Sequence, residues 1–111
     1  MGLIPNYSLK EDSEFFNDSK DTYIEKKYNE AILVQSIGRH EVAYEILREL
    51  AHMEYPPAQF DLGLLYYNGR GVSKSISNAC KWWEKASKKG YSDAKILLNH
   101  LSNNKISRFN D

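Results

Sequence analysis

Apolar residues recur every three or four positions along most of the chain, and no stretch alternates between apolar and polar residues as a strand would. Amphipathic helices have this spacing, because their buried stripe repeats every 3.6 residues. The polar run from Asn17 to Ser19 predicts a break, which makes residues 1–20 a separate short helix or partly ordered segment. Beyond the break, the pattern predicts helices at about residues 21–37, 40–53, 57–68, 76–89 and 92–102, with a tail over residues 105–111.

Glycine, proline and serine punctuate this pattern. Pro56 and Pro57 suit the first turn of a helix, Gly69 suits the left-handed position after one, and Ser75 suits an N-cap. Gly63 instead falls inside a predicted helix, where it costs about 1 kcal/mol relative to alanine. A glycine at this position predicts that another helix crosses too close for a side chain.

Small and aromatic residues repeat at a fixed spacing of 36 positions. The pairs are Ala43 and Ala79, Ile46 and Trp82, Leu50 and Ala86, Ala58 and Ala94, and Leu62 and Leu98. A period of this length is typical of stacked helical hairpins, which usually bind other proteins. The chain is therefore predicted to be an all-α, α/α solenoid of about two and a half helical hairpins, spanning residues 21–104.

The stretch from Ala58 to Ala94 resembles the Sel1-like repeat family, a relative of the tetratricopeptide repeats. The matching positions, without gaps, are Ala58, Leu62, Gly63, Tyr66, Gly69, Gly71, Val72, Ala79, Trp82, Ala86, Gly90 and Ala94. The resemblance implies a right-handed superhelix in which the first helix of each pair lines a concave surface that binds a protein or peptide. Residues 21–53 look more like a plain tetratricopeptide unit.

In such a fold the binding surface lies at first-helix positions outside the repeat pattern. These candidate protein-binding residues are Tyr28, Ile32, Gln35, Phe60, Leu64, Tyr67, Asn68 and His100. Aromatic and aliphatic anchors of this kind dominate many protein interfaces. An alternative is that the N-terminal segment, with Phe15 and Phe16, folds back and covers this groove.

Charge and composition narrow the possible functions. The net charge is zero, which argues against a nucleic-acid partner, although the charge is unevenly distributed. Residues 1–25 hold six acids and two bases, whereas residues 70–111 hold nine bases and three acids. A basic edge at Lys81, Lys85, Lys88, Lys89 and Lys95 is either a solvated surface or a site for an acidic partner.

The remaining candidate chemistry is sparse. Cys80 is the single cysteine, which excludes an internal disulfide, and the three histidines lack metal-ligand spacing. We therefore expect no cofactor and no catalytic site. The absence of a signal-like N-terminus and of a long apolar run leads us to expect a cytoplasmic protein with no membrane partner.

These observations predict a non-catalytic module that binds one partner protein. A bacterial immunity protein that inhibits a cognate toxin by direct binding is the main alternative within the same class. Some Sel1-like proteins have been linked to β-lactam binding or hydrolysis, but those resemble cysteine-rich exported chains, unlike this one. Self-assembly into a homodimer through the exposed repeat ends is a further alternative.

Overall fold

The computed structural model describes the backbone of residues 3–110 and the side chains of residues 19–103. The described backbone contains five helices and no strand. They are α1 (Leu3–Ser36), α2 (His40–His52), α3 (Pro56–Asn68), α4 (Ile76–Lys88) and α5 (Ser92–Asn110). Each helix packs against the next in chain order. The all-α prediction is confirmed.

Two predicted helix ends are wrong. Helix α1 continues through Asn17 and Ser19, and α5 continues past Asn103 and Asn104 to Asn110. Asn, Asp and Ser are only mildly unfavourable in a helix, by less than about 1 kcal/mol each. No glycine or proline lies near either predicted break, so the helices propagate through them. The proposed roles of Phe15 and Phe16 lie outside the residues whose side chains are described.

The first hydrophobic cluster joins α1, α2 and α3. Its buried residues are Ile24, Ala31, Ile46, Leu47, Leu50, Ala51, Ala58, Leu62 and Leu65, with Trp82 of α4 packed at its edge. Trp82 also contacts the His52 ring, at 5.2 Å between centroids. On α2, Ala43, Ile46, Leu47 and Leu50 are buried, whereas Val42 is 37% exposed.

The second cluster joins α3, α4 and α5 around Trp83, which is almost completely buried. The Trp83 indole lies directly against Gly63, and its Nε1 donates a hydrogen bond to the Phe60 carbonyl at 3.0 Å. A Cβ at Gly63 would be 2.3 Å from that nitrogen. The predicted close approach at Gly63 is therefore confirmed, and a tryptophan ring provides it.

The turn between α3 and α4 follows the prediction. Gly69 has a φ of +67° and its amide donates to the Tyr66 carbonyl, so it ends α3 in the left-handed conformation. The Ser75 hydroxyl accepts a hydrogen bond from the Asn78 amide at 3.1 Å and caps α4. The cap and the glycine fix where α4 begins relative to α3.

The α2–α3 and α4–α5 turns repeat one geometry at the 36-residue period. The Glu54 amide donates to the Ala51 carbonyl, and the Gly90 amide likewise donates to the carbonyl three positions before it. Both residues have positive φ, +68° at Glu54 and +93° at Gly90. Tyr55 and Tyr91 follow at equivalent positions. Within the described part of the chain, no helix has the length and apolar character needed to cross a membrane.

Candidate protein-binding surface

The first of the predicted site residues lie along one side of α1. Tyr28, Ile32 and Gln35 are separated by four and three positions, which places them on a common helix face. Tyr28 and Gln35 are half-buried, whereas Ile32 is 44% exposed. The face therefore combines an anchored aromatic ring with an accessible aliphatic side chain.

Tyr28 joins α1 to α3 through a hydrogen bond. Its hydroxyl donates to Asp61 Oδ2 at 2.6 Å, and its ring meets Tyr55 edge-on with 5.4 Å between centroids. Burial, followed by the Asp61 contact, raises the pKa of Tyr28 above its usual 10.0. The phenol therefore remains a neutral donor to the carboxylate at neutral pH.

Asp61 is a half-buried carboxylate without a cation. Burial raises the pKa of its carboxyl above the usual 3.8, and the hydrogen bond from Tyr28 opposes that change. Over residues 19–103, ion pairs join only Lys27 to Glu30 and Lys89 to Glu54. Among the residues with described side chains, Asp61 therefore has the Tyr28 hydroxyl as its partner and no cation.

Other acidic residues lie near this pair. Asp21 and Glu25 of α1, with Ile24 and Tyr55, line an open depression of about 440 Å³. On the other side, Tyr91 contacts the Phe60 ring at 5.3 Å between centroids. Burial raises the pKa of Tyr91, and the negative charges of Asp61 and Asp93 raise it further. We call the whole patch the α1–α3 surface; it comprises Asp21, Glu25, Tyr28, Ile32, Gln35, Tyr55, Asp61, Leu64, Asn68 and Tyr91.

The predicted residues of α3 divide between two sides of that helix. Phe60 and Tyr67 turn towards α4, with ring centroids 6.3 and 5.7 Å from that of Trp83. Leu64 is half-buried and packs at the edge of the second cluster, while Asn68 is exposed. Asp61, Leu64 and Asn68 share the least buried face of α3. Asp61 was missed because the sequence reasoning favoured aromatic residues over the polar position beside them.

His100 is exposed on α5, the helix that packs against α4. Cys80 is half-buried on α4. In the described range, no three His, Cys, Asp or Glu side chains come together as a potential metal site. The lysines of the basic edge lie on α4 and α5; Lys85 Nζ is 5.8 Å from the centroid of the Trp82 ring, and Lys89 pairs with Glu54 at 3.4 Å.

Residues 56–91, which cover α3, the glycine turn, α4 and the residue Tyr91, match the family model of the Sel1 repeat. Over these residues the chain is similar to a Sel1 repeat. This confirms the family resemblance, and the repeat covers the contact of Gly63 with Trp83, the Gly69 turn and the Ser75 cap. Sel1 repeats generally mediate protein–protein interactions, and the family is generally non-catalytic.

The fold is also that of a solved Sel1 repeat protein from Oxalobacter formigenes. The two structures are similar with a TM-score of 0.67 at 24% sequence identity, over 88% of this chain and 44% of the other. The chain thus spans less than half the length of that protein. This likeness confirms the all-α solenoid. No curated protein shows significant sequence similarity to the chain.

Proposed function

We propose that this chain is a non-catalytic module that binds one partner protein through the α1–α3 surface. The general role of Sel1 repeats in protein–protein interaction supports the class of function. The observation that carries the choice of surface is the exposed Ile32 beside the anchored Tyr28 ring. An aliphatic side chain next to a fixed aromatic ring offers apolar area to a partner at little cost in side-chain entropy.

Exposure alone does not single out this surface. Leu33 on α1 and Ile37 in the turn just after it are 62% and 64% exposed, and scattered surface aliphatics are common in proteins. By helical geometry Leu33 faces away from Tyr28. Ile32 differs because it lies one helical turn after Tyr28, whose hydroxyl binds Asp61. Leu33 and Ile37 therefore provide nearby exposed aliphatic controls.

The test compares capture of partners by three forms of the full chain. Wild type, Ile32→Glu and the control Ile37→Glu are immobilised and exposed to an extract of the source cells, after circular dichroism has shown equal helix content. We expect one protein to be captured by wild type and by Ile37→Glu but lost with Ile32→Glu. The affinity is then measured with the purified partner, where we expect at least a tenfold weakening for Ile32→Glu.

Loss of binding with Ile37→Glu and retention with Ile32→Glu would move the site to the turn after α1. If both variants captured every protein that wild type captures, the proposal would be wrong. The same experiment separates the finer functions: an inhibitor captures one partner and lowers its activity, whereas an adaptor leaves that activity unchanged. Light scattering on the purified chain tests whether the partner is a second copy.

A further inference from the structure

The α1–α3 surface carries an unbalanced negative charge. Asp21, Glu25 and Asp61 lie on it, Asp93 lies near enough to Tyr91 to raise its pKa, and none of these carboxylates forms an ion pair within the described residues. The lysine-rich edge is on the second helix of the repeat, α4, where Lys85 and Lys89 already contact Trp82 and Glu54. The charges of the molecule are thus segregated, although they sum to zero.

Tyrosines surround the most buried of these carboxylates. The Tyr28 hydroxyl occupies one oxygen of Asp61, the Tyr55 ring packs edge-on against Tyr28, and Tyr91 is close enough for the Asp61 charge to raise its pKa. Aromatic faces attract cations, and a carboxylate with spare lone pairs accepts further hydrogen bonds. Carboxylate and aromatic side chains together favour a cationic side chain over an anionic or purely apolar one.

Resting on the proposed function, we infer that the partner presents a basic segment to the α1–α3 surface and places a lysine or arginine against Asp61. The ion pair would compensate the desolvation of the Asp61 carboxylate, which no ion pair within residues 19–103 neutralises. Asp21 and Glu25 extend the negative potential along α1 and would attract neighbouring basic residues of the same segment.

The raised pKa of the Asp61 carboxyl means that the folded state disfavours its charged form. Proteins commonly retain such unfavourable groups where binding requires them. A cation bound against Asp61 would remove the free-energy penalty of burying its charged carboxylate.

The experiment uses a library of random dodecapeptides displayed on phage and selected separately on wild type, Asp61→Asn and Glu84→Gln. Asp61→Asn keeps an oxygen for the Tyr28 hydroxyl but removes the charge. Glu84 is an exposed carboxylate on α4 and is the control. We expect lysine and arginine to be enriched in peptides selected on wild type and Glu84→Gln, but not on Asp61→Asn.

Synthetic peptides from the wild-type selection are then titrated calorimetrically. Asp61→Asn should weaken binding about 10- to 100-fold, as expected for loss of a hydrogen bond to a charged group. Replacing the enriched basic residue of the peptide by alanine should weaken its binding to wild type by the same factor, but should change its binding to Asp61→Asn little. If Ile32→Glu abolishes binding of the selected peptides but these peptides are not enriched in lysine or arginine, this inference is wrong and the proposed function stands. If Ile32→Glu had no effect on any selected peptide, both would fail. Concentration-dependent self-association lost with Asp61→Asn would instead identify a second copy as the occupant.

Discussion

The contact between Gly63 and Trp83 gives the sharpest stability prediction. In Gly63→Ala, the new methyl carbon would lie 2.3 Å from Trp83 Nε1 and 2.6 Å from Trp83 Cδ1 if nothing moved. Carbon atoms in contact are normally about 3.5–4.0 Å apart. The indole must therefore shift, and its hydrogen bond to the Phe60 carbonyl at 3.0 Å would be strained or broken.

Three opposing free-energy contributions set the size of the effect. Alanine favours a helix over glycine by about 1 kcal/mol. Overpacking a core costs about 1–3 kcal/mol. Leaving the indole N–H without its acceptor costs about 1–3 kcal/mol. Their sum is a loss of about 1–5 kcal/mol, and we expect about 3 kcal/mol, which lowers the melting temperature by about 10–20 °C in a chain of this size.

Chemical denaturation followed by circular dichroism measures this loss, and a double-mutant cycle tests its cause. Trp83→Phe removes the nitrogen that lies nearest to the added methyl. Gly63→Ala should therefore cost at least 1.5 kcal/mol less in the Trp83→Phe background than in wild type, a threshold of roughly the size of the lost hydrogen bond. An equal cost in both backgrounds, or a stabilising effect of Gly63→Ala alone, would refute the argument that Trp83 excludes a side chain there.

Three further changes test other features. Ser75→Ala should cost about 1 kcal/mol through loss of the α4 cap, whereas Ser73→Ala in the exposed loop should be neutral in the same denaturation assay; equal effects would contradict the cap. Glu54→Gly should stabilise the protein by about 0.5 kcal/mol, because glycine adopts the positive φ without strain and this outweighs the larger conformational entropy that glycine gives the unfolded chain. Glu54→Gly should also be more stable than Glu54→Ala. Asp61→Asn should stabilise at pH 7. Folding raises the Asp61 pKa above 3.8, so wild type has its full stability from this group below pH 3.8 and loses it as the pH rises and the carboxyl ionises. The advantage of Asp61→Asn over wild type should therefore disappear below about pH 4. An advantage that does not change with pH would refute this account of Asp61.

Most of the repeat could be predicted from the sequence because its signals are steric and local. Gly69 and Ser75 each specify one turn geometry, and Gly63 specifies a close approach. The repeat pattern singled out Trp82, yet Trp83 is the residue that lies against Gly63. Helical periodicity cannot resolve which of two adjacent tryptophans points at a given neighbour, since that depends on how α4 is rotated against α3.

The candidate surface was predicted less completely. Tyr28, Ile32 and Gln35 follow the spacing of one helix face, as the sequence analysis assumed, but the polar Asp61 was not considered, and Phe60 and Tyr67 turn towards Trp83. The position of Asp61 depends on its contact with Tyr28, which lies 33 residues earlier on another helix, and no local pattern encodes that contact. Its one signal was indirect, because Asp61, Leu64 and Asn68 follow the helical spacing of a single face.

The repeated turn geometry at Glu54–Tyr55 and Gly90–Tyr91 has a consequence for how this architecture grows. Residues 55–90 begin and end at the same backbone arrangement, so a duplicated copy would join its neighbours through junctions that the chain already contains. Lengthening by tandem duplication would require no newly evolved connection. Each added copy would contribute another tyrosine and another first helix, lengthening the stack in increments of a single unit.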